Sequence, residues 1–191
     1  MRISAIVEGH GDAESVGVLL RRFAVLASVE HLRVTPLRIN RNKIVKPGEL
    51  ESAVELAARK AGPDGRVLVL LDADHDVVCT LGPALAKRAK SARSDILIAV
   101  VLARVEFEAW FLAAIRSLRG CRGIPPDAEP PEDPEAIRGA KEWLGNLMKR
   151  RYSEVTDQPA LTARFSLDEA RAASPSFDKL CREVARLFGK S

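Results

Sequence analysis

The chain has 191 residues, 47% of them hydrophobic, which suits one domain with a sizeable core and excludes a largely disordered chain. Its formal charge of +4 permits a nucleic-acid or phosphate partner without requiring one. The longest apolar run, Ile96 to Ala103, is far too short to span a membrane.

Strand and helix patterns alternate through the first two thirds. Ile3 to Val7 reads as a strand, and Ala13 to Ala27 as a helix with Val16, Leu19, Leu20, Phe23 and Leu26 on one face. Leu32 to Ile39 reads as a second strand, where Pro36 predicts an edge position or a bulge. Pro47-Gly48-Glu49 opens a helix to about Lys60, and Gly62-Pro63-Asp64-Gly65 is a turn. Arg66 to Leu71 has the aliphatic make-up of a buried strand. A helix from Leu81 to Ser91, a strand from Ile96 to Leu102 and a helix from Phe107 to Leu118 follow. After the proline-rich loop from Gly120 to Asp133, three N-cap signals predict helical pieces: Asp133-Pro134, Ser166 through Glu169, and Ser174-Pro175.

This order predicts a three-layer α/β/α, Rossmann-like domain over 1–119, with a mostly parallel sheet of about four strands. Residues 120–191 form a Pro-rich loop and a helical C-terminal appendage packed on it. In such sheets functional groups gather at the carboxyl ends of the strands. Three of those ends are acidic: Glu8-Gly9-His10-Gly11-Asp12, Asp72-Ala73-Asp74-His75-Asp76, and Glu106-Phe107-Glu108. Carboxylates crowded together raise one another's pKa unless a positive charge offsets them. A hard divalent cation, Mg²⁺ or Mn²⁺, suits oxygen-only ligands. Glu8 stands on a different strand from the Asp pair and is the candidate for moving a proton.

Bland readings stand beside these. Asp12 either caps the first helix or joins the metal, Asp76 either caps the turn or joins it, and Glu106 and Glu108 suit a first helical turn. Phe107, Trp110 and Phe111 are read as core. His10 and His75 lack zinc-hydrolase spacing and suit phosphate contact better than metal ligation. Arg21 to Lys46 holds seven basic residues, Arg41 and Lys43 among them, against the single acid Glu30. That stretch is either a solvated basic face or a phosphate-binding one.

The lone Glu8 after the first strand, followed by Asp72-x-Asp74 after a later one, resembles the Toprim arrangement of topoisomerases, primases and OLD-type nucleases. Val7-Glu8-Gly9-His10-Gly11, Leu71 to Asp76, Glu106 to Trp110, Ala140-Lys141-Glu142-Trp143-Leu144, Asp157 to Thr162 and Ser174 to Leu180 together resemble the DUF4276 family over nearly the whole chain. This resemblance implies a Mg²⁺- or Mn²⁺-dependent nuclease or phosphoryl-transfer centre with Glu8 as general acid or base. Asp72 and Asp74 would hold the metal, with Glu106, Glu108 and Asp76 as further acids. His10, Lys141, Arg41 and Lys43 are the candidate substrate contacts, although Lys141 equally suits the surface of a helix. The implied partners are nucleic acid, DNA or RNA, and an ATPase of the kind found in phage defence. Self-association is also open. Two other functions are weighed: a non-enzymatic ATPase partner, and a phosphatase or nucleotide hydrolase on small substrates. Cys79, Cys121 and Cys181 form no Cys-x-x-Cys pair, and the start of the chain shows no signal-peptide pattern, so a reducing cytoplasm is expected.

Overall fold

The computed structural model describes residues 1–190. Four strands, β1 (Arg2–Val7), β2 (Arg33–Arg38), β3 (Arg66–Asp72) and β4 (Leu97–Ala103), form one parallel sheet in the order β2-β1-β3-β4. The three-layer, Rossmann-like α/β architecture expected from the sequence is therefore present. Pro36 lies on β2, at the sheet edge, where a missing N–H is tolerated.

Side chains alternate across each strand and sort the helices into two layers. Val67, Val69 and Leu71 point into one core with α3 (Glu49–Ala61) and α4 (Val78–Ala92). Leu68 and Leu70 point into the other, shared with α1 (His10–Leu26), α5 (Ala109–Ala113), α6 (Ala140–Leu147), α7 (Asp157–Thr162), α8 (Leu167–Ala173) and α9 (Pro175–Leu187). The helices after residue 120 thus complete the second layer. Phe107, Trp110 and Phe111 are buried there, and the indole N–H of Trp110 donates to Ser176 Oγ at 2.8 Å.

Several boundaries differ from the sequence reading. α1 begins three residues early, with Gly9 as N-cap, so Asp12 is the third helical residue and does not cap it. Its carboxylate instead turns back to accept the Gly9 N–H at 2.8 Å. A short α2 (Arg41–Ile44), capped by Asn40, stands where no helix was expected. The helix expected from Phe107 to Leu118 splits into α5 and a 3₁₀ turn over Ile115–Leu118, because Ala114 leaves helical geometry. Asp133 caps only a 3₁₀ turn, whereas Ser166 and Ser174 cap α8 and α9 as their spacing predicts. Among the described residues no helix is long and apolar enough to cross a membrane.

Candidate functional site at the strand ends

The strand order fixes where the site opens. The chain leaves β1 for β2 by way of α1 on one face, and leaves β3 for β4 by way of α4 on the other. The two loops diverge, and a crevice forms between the carboxyl ends of β1 and β3, the place where such sheets bind ligands. Glu8 and Asp72 are the residues at that crevice. Asp72 follows Leu70 in the alternation and so lies on the face of α1 and the C-terminal helices.

Hydrogen bonds hold both carboxyls in place. Glu8 Oε1 accepts the Asp72 backbone N–H at 3.0 Å, and Asp72 Oδ1 accepts the Phe107 N–H at 2.9 Å. The ends of β1, β3 and the β4–α5 loop are thereby linked through two carboxylates. The turn after β3 is strained where it meets that loop. Asp74 has φ 49° and Val105 φ 66°, and the Asp74 N–H donates to the Val105 carbonyl at 3.0 Å. A β-branched residue rarely adopts this backbone, and such strain concentrates at functional sites.

A cavity of about 260 Å³ opens over these groups, lined by Glu8, Asp12, Asp72, Asp74, Lys141 and Glu154, with Gln158 at its wall. Burial pushes Glu8 up from the ordinary 4.5 to about 7, against the lowering effects of the Asp72 N–H and Arg41. Burial also drives Asp72 well above its ordinary value, and the charges of Glu108 and Asp12 add to it. Glu108 is 1% exposed, and neither carboxylate oxygen has a hydrogen-bond partner among the described residues. Burial raises it to about 8, although Lys141 works the other way. The buried Tyr152 hydroxyl is likewise unpartnered, and burial together with the Glu108 charge raises its pKa.

Lys141 is the cation of this cluster. Its ammonium stands 3.1 Å from Glu154 and 3.9 Å from Glu108. Burial opposes its charge, but Glu108, Asp72 and Glu154 outweigh burial and hold it above its ordinary range. The lysine expected to meet a substrate phosphate is thus engaged with carboxylates of the protein.

The other sequence candidates are spread more widely. Arg41 braces the β3 turn from outside, donating to the carbonyls of Asp72 at 2.9 Å and Ala73 at 3.0 Å. It pairs with Asp74 at 3.5 Å and closely with Asp76, so Asp76 is an exposed partner of an arginine, not a turn cap. Glu106 accepts the Lys141 backbone N–H at 3.2 Å and positions the start of α6. His10 and Lys43 are exposed, and neither lines the cavity. His75 is exposed and meets Arg138 at 2.9 Å. The structure therefore brings together Glu8, Asp72, Asp74, Glu108 and Lys141, and sets Asp76, Glu106, His10 and Lys43 apart.

Three contributors were not read from the sequence as site residues. Gln158 donates to Asp12 Oδ1 at 2.6 Å, Glu154 pairs with Lys141, and Tyr152 lies against Glu108. All come from residues 152–158, the segment that leads into the first turn of α7, whose one visible signal is the Asp157-Gln158-Pro159 run. Gly11 admits that segment. A Cβ there would stand 2.2 Å from Gln158 Oε1 and 2.3 Å from the Glu154 carbonyl. Gly11→Ala is expected to cost about 1–3 kcal/mol of overpacking, read from urea unfolding. Gly17→Ala is the control, since its Cβ would meet only the flexible Arg21 side chain at 3.4 Å and helix propensity favours alanine. Equal stability of the two variants would contradict this account of Gly11.

Among the described residues no group of three or more His, Cys, Asp or Glu is arranged as a set that could hold a metal ion. The five acids expected to share a metal thus form no closed cage, because Arg41 draws Asp76 away, Glu106 is engaged with α6, and Glu108 is buried. A hydrated Mg²⁺ needs less, since it keeps several waters and takes one or two carboxylates. The all-oxygen donors Asp72 and Asp74 at one cavity, with the unpartnered oxygens of Glu108 nearby, fit such an ion.

No curated protein and no solved structure matches the chain. The family model described as a domain of unknown function, DUF4276, matches residues 7–185, and the chain belongs to that family.

Proposed function

We propose that this chain is a Toprim-like phosphoryl-transfer protein, dependent on Mg²⁺ or Mn²⁺, that cleaves phosphodiesters of nucleic acid. The observation that carries the reading is the hydrogen bond from the Asp72 N–H to Glu8 at the β1/β3 crevice, where burial raises both carboxyls. Paired acids in different environments divide the labour of acid–base chemistry between them. Glu8, at about 7, is poised to take up or release a proton near neutral pH. Asp72 and Asp74 would hold the cation. When bound, the ion would supply charge stabilisation to a transferring phosphoryl group, which provides much of the catalysis in such reactions.

The protein's own residues do the rest. Phe107 N–H fixes the Asp72 carboxyl, Asp72 N–H fixes Glu8, and Arg41 locks the turn that carries Asp74. Glu108 and Asp12 increase the negative potential felt by Asp72, and Lys141 limits it. Because this cluster binds protons in competition with a cation, metal affinity is expected to rise with pH through about 7.

Calorimetric titration with Mn²⁺ tests the metal assignment. Asp72→Asn is expected to weaken binding by about 10–100-fold or more, the range seen when even supporting groups of metal sites are lost. Cleavage of labelled DNA and RNA strands in Mg²⁺ or Mn²⁺ tests the activity. Wild-type protein that binds no divalent ion, or an Asp72→Asn variant that binds it equally well, would refute the metal-dependent reading. Cleavage of a mononucleotide with no polynucleotide cleavage would replace it with a small-substrate hydrolase.

A further inference from the structure

Beside the acidic cavity lies a larger groove of about 590 Å³, between α6 and the segment 149–154. Lys141 and Glu154 line both, so the two spaces meet at that ion pair. The charge changes sign across it. The acidic cavity sets Glu8, Asp12, Asp72, Asp74 and Glu154 against Lys141. The groove sets Lys141, Lys149, Arg150 and Arg151 against Glu142 and Glu154.

The cationic wall is rigidly mounted. Asp157 is fully buried and takes both Arg122 and Arg150 at 2.7 Å, along with the Ser153 N–H at 2.9 Å. Burial opposes its ionisation, but these donors outweigh burial and hold its pKa at about 2, so the clamp stays charged at neutral pH. Arg150 also donates to the Arg122 carbonyl at 3.0 Å, which ties the wall to the loop after β4 and α5. Lys149 sits in the left-handed region at φ 53°, a backbone state that persists only where its surroundings enforce it. The exposed side chains of Lys149 and Arg151 form no hydrogen bond or ion pair among the described residues.

An anionic strand approaching the acidic cavity would be repelled by it. A fixed cationic wall that adjoins the cavity offsets this repulsion and orients the strand. The groove volume lies within the roughly 300–1,000 Å³ of small-ligand pockets, the scale of a nucleotide rather than of a duplex. We infer that the groove between α6 and residues 149–154 binds phosphates flanking the reacting one on a single-stranded polynucleotide. The strand then passes the Lys141–Glu154 pair into the acidic cavity. The identity of the substrate rests on the proposed function; the groove and its charge do not.

The test is fluorescence anisotropy of a labelled single-stranded oligonucleotide with the full chain in EDTA, which reads binding without cleavage. Lys149→Ala combined with Arg151→Ala is expected to weaken binding by about tenfold or more. It should also lower the slope of log affinity against log salt by about 0.7 for each lost phosphate contact. Both positions are exposed, so thermal unfolding should not move. Arg59→Ala combined with Lys60→Ala removes the same charge at the far end of α3 and is expected to leave binding close to wild type. Unchanged binding in the groove variant, an equal loss in both variants, or no binding by the wild type would overturn the inference. Cleavage by wild type with unchanged binding in the groove variant would sink the groove alone. Lost binding in the groove variant, with no cleavage by wild type under any divalent ion, would sink the proposed activity alone.

Discussion

Glu8→Gln is expected to lower divalent-dependent phosphodiester cleavage by about 10²–10⁴-fold, the usual contribution of a positioned acid or base. The substitution is chosen to separate chemistry from folding. Gln Oε1 can still accept the Asp72 N–H that Glu8 accepts at 3.0 Å, so the link between β1 and β3 survives. What disappears is the proton. With its carboxyl raised to about 7, Glu8 is part ionised near neutral pH. The free protein should therefore show a limb in kcat/KM near that pH, and the residual activity of Glu8→Gln should lack it. Full activity in a folded Glu8→Gln protein would exclude Glu8 from the chemistry.

Glu108→Gln carries the second large effect, on stability rather than rate. Glu108 has both oxygens buried and unpartnered, and burial raises it from 4.5 to about 8. A carboxyl raised in the folded state binds its proton more tightly there than in the unfolded chain. Stability from this group is therefore complete below about 4.5 and is lost as pH rises towards 8. Each pKa unit is worth about 1.4 kcal/mol, so the loss is on the order of a few kcal/mol. Glutamine has no proton to lose. The variant should match wild type near pH 5 and exceed it near pH 9, by about 2–4 °C in Tm for each kcal/mol. Glu51 and Asp157, both held at about 2, act in the opposite window, since their stabilisation is lost only as pH falls from ordinary carboxyl values towards 2. Melting curves in EDTA from pH 5 to 9 therefore isolate the raised acids. A constant Tm difference across that range would refute the assignment.

The β-α alternation, the strand-end acids and the caps at Ser166 and Ser174 were legible because each depends on local pattern. β3 announces itself through an uninterrupted aliphatic run, and a parallel sheet places all strand ends on one edge. Glu8 and Asp72 could be named on that ground alone. The start of α1 was placed three residues late because a capping signal at Asp12 does not say on which side of Gly9 and Gly11 the helix begins.

What local pattern could not convey is which charges face one another across long separations. Lys141 reads as a surface lysine or a phosphate contact, yet folding sets it among Glu108, Asp72 and Glu154. Arg41 reads as part of a basic run, yet it braces the turn of Asp74 and Asp76. Gln158 reaches Asp12 across 146 positions, admitted by the bare Cα of Gly11. By itself the sequence determined the layers, the sheet edge and the residues at its acidic ends, because periodicity and composition act over a few neighbours. Only the tertiary structure decided which carboxyls are paired, buried or exposed, because desolvation and Coulomb energies depend on distances that the order of residues along the chain does not contain.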